Sequence, residues 1–217
     1  MSDHERAAKI EAARQSLRFV KAGMAVGLGS GSTAAEMVRL LGEKVRAGLV
    51  IRAVGSSSTT EALARAAGIP LIALADVDAL DVTIDGADEV DPKGRMIKGR
   101  GGALLREKVL AAHSKALVII IDRRKQVAAL GAAPVPIEVT PFAAPIVARD
   151  LAALGGRAVL RATGGVPYVT DGGNHILDTA FGPIADPDAL AARLDGTVGV
   201  VEHGLFVGFS PTIVVGD

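Results

Sequence analysis

The chain has 217 residues, with 24 Lys plus Arg balanced by 24 Asp plus Glu, no Cys, no Trp, five Phe and one Tyr. This length supports one large domain, or one domain with a small companion, and a core that needs no disulfide or metal staple. Zero formal charge and few stacking rings argue against nucleic acid as a partner, and the lack of cysteine removes thiolate metal sites and thiol nucleophiles.

From the N-terminus, Ile10, Ala13, Leu17 and Val20 repeat at helical spacing before Gly23, which predicts a helix over 4–21. Met24 to Leu28 reads as a strand and Gly29 to Ser32 as a loop. Thr33 with Glu36 has capping-box spacing for a helix ending near Gly42. The cycle repeats with a strand at Leu49 to Val54, a loop at 55–58, and Ser58 with Glu61 as a second capping box for a helix to Ala67. Ile69 to Leu74, Val82 to Ile84, and Met96 with Ile97 are further short apolar runs. Ala103 to His113 has helical spacing and precedes a strand at Ala116 to Ile121.

After Gly131 the pattern changes to a strand at Ile137 to Val139 and a helix initiated by Pro141. A hairpin follows, from Arg157–Arg161 to Ile176–Asp178, then a helix at 187–194 and a strand at 198–201. Thr212 to Val215 is apolar and β-branched, suited to an extra strand in the first sheet. The expected fold is α/β: an open, Rossmann-like, mostly parallel sheet with helices on both faces, plus a smaller ferredoxin-like α+β domain. Residues 1–130 with 205–217 are assigned to the first domain and 131–204 to the second. The longest apolar stretch, Ala116 to Ile121, is far below the ~20 residues of a spanning helix, and residues 1–21 lack a signal-length apolar run. A cytoplasmic protein without a membrane partner is expected.

Four clusters carry the candidate chemistry. Gly27-Leu28-Gly29-Ser30-Gly31-Ser32-Thr33 lies between a strand and a helix N-terminus, where amides and hydroxyls favour a phosphate. It lacks the third glycine of a dinucleotide fingerprint and the Lys of a P-loop, and it also reads as a tight turn plus an N-cap. Ser56 to Thr60 is a second hydroxyl cluster that capping explains. Asp81-Val-Thr-Ile-Asp85-Gly-Ala-Asp88-Glu89-Val-Asp91 ends an apolar strand in carboxylates, and ligands of open α/β sheets bind outside the carboxyl ends of strands. Asp85-Gly86 also suits an ordinary turn. Lys98-Gly99-Arg100-Gly101-Gly102 is a glycine loop opened by one of only eight lysines, and it runs into a helix bearing Glu107. Beside Lys108, Glu107 also fits an exposed helix surface. His4, His113, His175 and His203 have no ligand spacing, and no metal is expected.

In this order and spacing, Gly-Ser-Gly-Ser-Thr-Ala, Ser-Ser-Ser, Asp-Gly-Ala-Asp-Glu and Lys-Gly-x-Gly-Gly-Ala-Leu-Leu-Arg-Glu-Lys resemble the type A ribose-5-phosphate isomerases. The resemblance extends to Asp122-x-x-Lys125, Pro136-Ile-Glu-Val and Thr170-Asp171-x-Gly173-Asn174-x-Ile176-Leu177-Asp178. It implies cofactor-free interconversion of D-ribose 5-phosphate and D-ribulose 5-phosphate through a cis-enediolate. It further implies Glu107 as base, Asp85 and Asp88 as an acidic pair and Lys98 as the active-site lysine. Substrate contacts are implied at Ser30, Gly31, Ser32, Thr33, Gly86, Ala87, Gly99, Arg100, Gly101, Lys125 and Lys9, beside Asp85, Asp88 and Lys98. Some family members have glycine where this chain has Arg100 and threonine where it has Leu105. A homodimer or homotetramer acting on a small phosphosugar is expected. An aminosugar-phosphate deaminase, a CoA transferase and the sugar-sensing module of a transcription regulator fit the same motifs less well.

Overall fold

The computed structural model describes residues 3–217. In chain order they form α1 (Asp3–Ser16), β1 (Ala25–Leu28), α2 (Ser32–Arg46), β2 (Arg52–Gly55), α3 (Ser58–Ala66), β3 (Val82–Gly86), β4 (Glu89–Val90), β5 (Met96–Ile97), α4 (Leu104–Ala112) and β6 (Leu117–Asp122). There follow β7 (Val135–Val139), α5 (Ala144–Ala153), β8 (Arg157–Leu160), β9 (Ala162–Thr163), β10 (Val166–Pro167), β11 (His175–Ala180), α6 (Pro187–Asp195), β12 (Val200–His203), β13 (Leu205–Phe206) and β14 (Thr212–Gly216). The chain divides into two compact units: residues 1–87, 106–125 and 210–217, and residues 88–105 and 126–209.

The first unit is built on a five-stranded parallel sheet in the order β14-β6-β3-β1-β2. Its inner strands read as continuous apolar runs because both faces are covered: all six residues of β6 and all four of β1 are buried. Val26, Leu28, Ile84, Val118 and Ile120 join Met37, Val38 and Leu41 of α2 in the main core. β1 lies between β2 and β3, so the chain leaves β1 in one direction and returns on its other side. In an open α/β sheet such an order reversal, here at the carboxyl ends of β1 and β3, is the usual ligand position. The tail Thr212–Gly216 does join this sheet, parallel to β6.

Several sequence boundaries move. α2 does not stop near Gly42 but runs to Arg46, because Gly42 sits against Ala67, where an added Cβ would lie 2.6 Å from the Ala67 Cβ. Its N-cap is Gly31, not a Thr33–Glu36 box. α3 is capped by Ser57, whose Oγ accepts from Thr60 N, one residue before the expected Ser58. Ile69 to Leu74 makes only a single bridge, Leu71 to Ala53, because a 3₁₀ turn at Leu74–Asp76 ends the extended backbone.

One edge contact of this sheet is pH-sensitive. Asp81, just before β3, accepts from Lys115 Nζ at 2.8 Å and Ala25 N at 2.9 Å. The Lys115 bond, followed by the Ala25 amide, holds its carboxyl below the usual carboxylate range. A lowered folded value contributes stability above the unfolded value of ~3.9 and loses it as pH falls through the folded value. Asp81→Asn is therefore expected to melt earlier than the parent at neutral pH. The gap should close as a pH series is taken below about 4.

The second unit has the order β7-α5-β8-β11-α6-β12, with β9 and β10 as a small hairpin between β8 and β11. Its four strands are antiparallel in the order β12-β7-β11-β8, the ferredoxin-like arrangement. Ile137, Val139, Val147, Leu151, Leu177 and Leu194 form its core. The α5 helix starts later than Pro141 implies: residues 141–143 form a turn and Pro145 occupies the first helical turn. Residues 88–105 belong to this unit because β4 and β5 pair with β13 in a separate three-stranded sheet.

Candidate active site

In a parallel sheet each crossover helix starts at the carboxyl edge of the strands and runs back to their amino edge. The first unit therefore gathers five sequence clusters on one edge. These are the 29–33 loop after β1, Ser56–Thr60 after β2, Asp85 with Gly86 at the end of β3, the first turn of α4 with Glu107, and Lys125 in the 3₁₀ turn after β6.

Asp85 organises this edge. It is 1% exposed, and its Oδ1 accepts from Ser30 N at 3.0 Å and Gly86 N at 2.7 Å. Gly29 lies so close that a Cβ there would sit 1.9 Å from Asp85 Oδ1 and 2.5 Å from its Cα. The second of these is a backbone atom, so the clash cannot be relieved by a rotamer change. Gly29→Ala is expected to force β1 and β3 apart at this end and cost about 1–3 kcal/mol, read as a lower urea midpoint.

The two hydroxyl clusters are one network. Ser30 Oγ lies 2.7 Å from Ser56 Oγ, 3.0 Å from Ser57 Oγ and 3.1 Å from Thr60 Oγ1, and Thr60 Oγ1 donates to Gly29 O at 3.1 Å. Ser56, Ser57 and Thr60 are buried, so they brace the first loop from behind. Ser32 and Gly31 are exposed, with Thr33 half-buried beside them at the start of α2, where the amides of the first turn have no acceptor within the helix. Lys9 Nζ reaches from α1 to donate to Ser32 Oγ at 2.9 Å. A cation, hydroxyls and a helix N-terminus thus meet at one point, a combination suited to a phosphate dianion.

Glu107 is not the surface residue that its neighbours Arg106 and Lys108 suggest: it is 4% exposed. A carboxylate costs much to bury, and the first turn of a helix is where the backbone dipole offsets part of that cost.

The second unit carries the other sequence clusters. Lys98 is 3% exposed; its amide donates to Gly204 O at 2.9 Å and its Nζ lies 5.2 Å from the centre of the Phe206 ring. Asp88 is half-buried and its Oδ2 accepts from Arg100 N at 3.0 Å, tying the acidic segment to the glycine loop. The remaining carboxylates of that segment have structural work. Glu89, buried, accepts from Gly131 N and Ala133 N, and Asp91, also buried, binds Arg95. Gly102 has φ +83°, and a Cβ there would sit 2.3 Å from the Tyr168 hydroxyl. Ala87 and Gly101 complete the two turns, half-buried and exposed. Arg100 meets Asp88 through its backbone, so the departure from glycine at this position leaves that contact in place.

Sequence spacing missed three residues that bear on this loop. Arg161, Tyr168 and Asp178 contact it or support those that do; Asp178 ends the Thr170–Asp178 motif, the one signal that pointed to this stretch. Spacing also missed a trio of Asp195, Glu202 and His203 in the second unit. There His203 Nδ1 accepts from Leu205 N at 3.2 Å and Nε2 faces Asp195 Oδ1 at 3.0 Å, so both ring nitrogens already serve to tie α6 to the β12 end.

Comparison with known proteins identifies the family. The family profile described as Ribose 5-phosphate isomerase A (phosphoriboisomerase A) matches residues 52–217. Ribose-5-phosphate isomerase A of Parvibaculum lavamentivorans is 49% identical over 215 residues, covering 96% of this chain and 93% of the relative. A D-ribose-5-phosphate isomerase solved with phospho-erythronic acid superposes with a TM-score of 0.93 at 39% identity, over 98% of this chain and 94% of that one. Ribose 5-phosphate isomerase A of Methanocaldococcus jannaschii gives 0.90 at 35% identity, over 95% and 93%. By sequence along nearly its whole length and by fold, the chain belongs to the ribose 5-phosphate isomerase A family.

Proposed function

We propose that the protein interconverts D-ribose 5-phosphate and D-ribulose 5-phosphate, a step of the pentose phosphate pathway, with Glu107 moving the proton between C2 and C1. The burial of Glu107 at the first turn of α4 carries this reading, since a surface glutamate needs no such position. In the open-chain aldose, the Glu107 carboxylate takes the proton from C2. The C2–H electron pair forms the C1=C2 bond, and the carbonyl pair moves onto O1. The cis-enediolate is then reprotonated at C1 by the same carboxyl group while O2 becomes the ketone oxygen. Lys98 and the amides of its loop offset charge on the oxygens, the type of preorganised stabilisation that contributes most in a site screened from water. Asp85 and Asp88 pass the proton between O2 and O1 and open the furanose ring beforehand.

A proton lost at C2 is replaced by one gained at C1 and the substrate's overall oxidation state is unchanged, so the reaction needs no redox cofactor. Ser30 to Thr33 and Lys9 hold the phosphate, and Gly86, Ala87, Gly99, Arg100, Gly101 and Lys125 complete the substrate contacts. Phospho-erythronic acid, bound by the solved relative, carries a planar carboxylate on a phosphorylated chain, the shape and charge of an enediolate. The protein works in the cytoplasm as a homodimer or homotetramer. An exposed apolar set, Phe142, Ile146 and Val198, is of the kind that a second copy covers.

Proton NMR of ribose 5-phosphate with purified protein in D₂O tests the activity. Ketose resonances should grow in with deuterium at the carbon that receives the migrating proton. An aldose spectrum unchanged over hours would overturn the reading.

A further inference from the structure

We infer that Arg161 is a positioning residue for the isomerisation, holding the loop that presents Lys98. The inference rests on the role of Lys98 proposed above. Arg161 follows β8, and its guanidinium divides its donors between two tasks. Nη1 donates to Gly99 O at 3.1 Å and to Arg100 O at 3.2 Å. Nε and Nη2 form a two-point pair with Asp178 on β11, at 2.9 Å and 2.5 Å. A planar fork held along one edge by a carboxylate has its remaining donors aimed in a fixed direction, which a lysine ammonium cannot reproduce. The side chain of Arg161 is only 14% exposed, so its guanidinium is largely screened, while its bond to Arg100 O lies at the surface.

The neighbouring residues serve the same end. Tyr168, whose amide donates to Arg161 O, brings its hydroxyl against Gly102 and its ring under the guanidinium at 5.8 Å. Its carbonyl faces His175 Nδ1 at 3.1 Å, and the turn beyond it is anchored where Thr170 and Asn174 both donate to the buried Glu138. The Thr170–Asp178 motif thereby acquires a physical purpose: one end anchors the turn on β7 and the other, through Asp178, aims Arg161. Asp88 fixes the same loop from the other side at Arg100 N. Two carbonyls and one amide of the two-residue span Gly99–Arg100 are thus pinned. A glycine-rich loop has no side-chain packing to do this for itself.

Arg161→Lys keeps the charge and loses the fork. It is expected to lower kcat by about 10- to 100-fold, since a misplacement of ~1 Å can cost ~10²-fold, with KM changed much less. A double-mutant cycle with Lys98→Met separates positioning from general support of the fold. If Arg161 acts through Lys98, adding Arg161→Lys to Lys98→Met costs less than about threefold more, because residues that act as a unit are not additive. Equal losses in both backgrounds, or a kcat for Arg161→Lys within about twofold of the parent, would overturn the inference. Asp178→Asn loosens the same fork from its far edge and is read against the same two outcomes should Arg161→Lys fail to accumulate as folded protein. A normal kcat for Lys98→Met alone would instead remove the underlying role of Lys98, a result distinct from failure of Arg161 within an intact scheme.

Discussion

Glu107→Gln is expected to lower kcat by at least about 100-fold, the low end for loss of a general base, with the circular dichroism spectrum and melting curve close to the parent's. Glutamine matches glutamate in size and shape, so the buried position on α4 stays filled; what disappears is the ability to take a proton from carbon. The loss should fall on kcat and kcat/KM alike, because an interaction used only in the transition state is removed. Deuterium wash-in at the substrate carbon should slow in parallel, since it reports the proton transfer rather than the net conversion. Glu107→Asp retains the carboxylate but withdraws it by one methylene, and should fall between the two. Near-normal turnover by Glu107→Gln would exclude this residue as the base, whatever the other variants do.

Much of the first unit was legible because its strands are short, apolar and separated by glycine turns. The run Ala116 to Ile121 could be little else than an inner strand, and β6 is buried at every position. The topology followed from alternation, and with it the expectation that the carboxylates ending the Val82 to Ile84 run lie at the carboxyl end of a strand, where ligands bind. Sequence could not say which carboxylate of Asp85, Asp88, Glu89 and Asp91 had other duties. That depends on Gly131 N and Ala133 N meeting Glu89 from more than 40 residues away. Gly42 looked like a helix stop because spacing cannot distinguish a glycine that ends a helix from one that admits a neighbour such as Ala67. Burial of Glu107 was hidden for a similar reason. Its local sequence is charged, and only the packing of α4 removes it from water. Arg161 left no local trace either, since its partners in the glycine loop lie 61 and 62 residues earlier.

The lysine loop yields the other large effect. Lys98→Met preserves the aliphatic stem against Phe206 and removes the charge, so binding of the phosphate end should change little while kcat falls by about 10²- to 10³-fold, the cost typical of losing one fixed donor to a developing oxyanion. Lys98→Arg returns a positive charge but should not return turnover. The ammonium is a compact point charge on a side chain that is 3% exposed, whereas a guanidinium is planar, longer and needs a different set of acceptors. The pair of variants thus distinguishes charge from placement. If Lys98→Arg recovered most of the parent kcat, a diffuse positive field would suffice and the pinned loop backbone would lose its catalytic purpose. If both variants stay low while ribose 5-phosphate raises their melting temperatures as much as it raises the parent's, the ligand is bound and the defect lies in stabilising charge on the substrate oxygens.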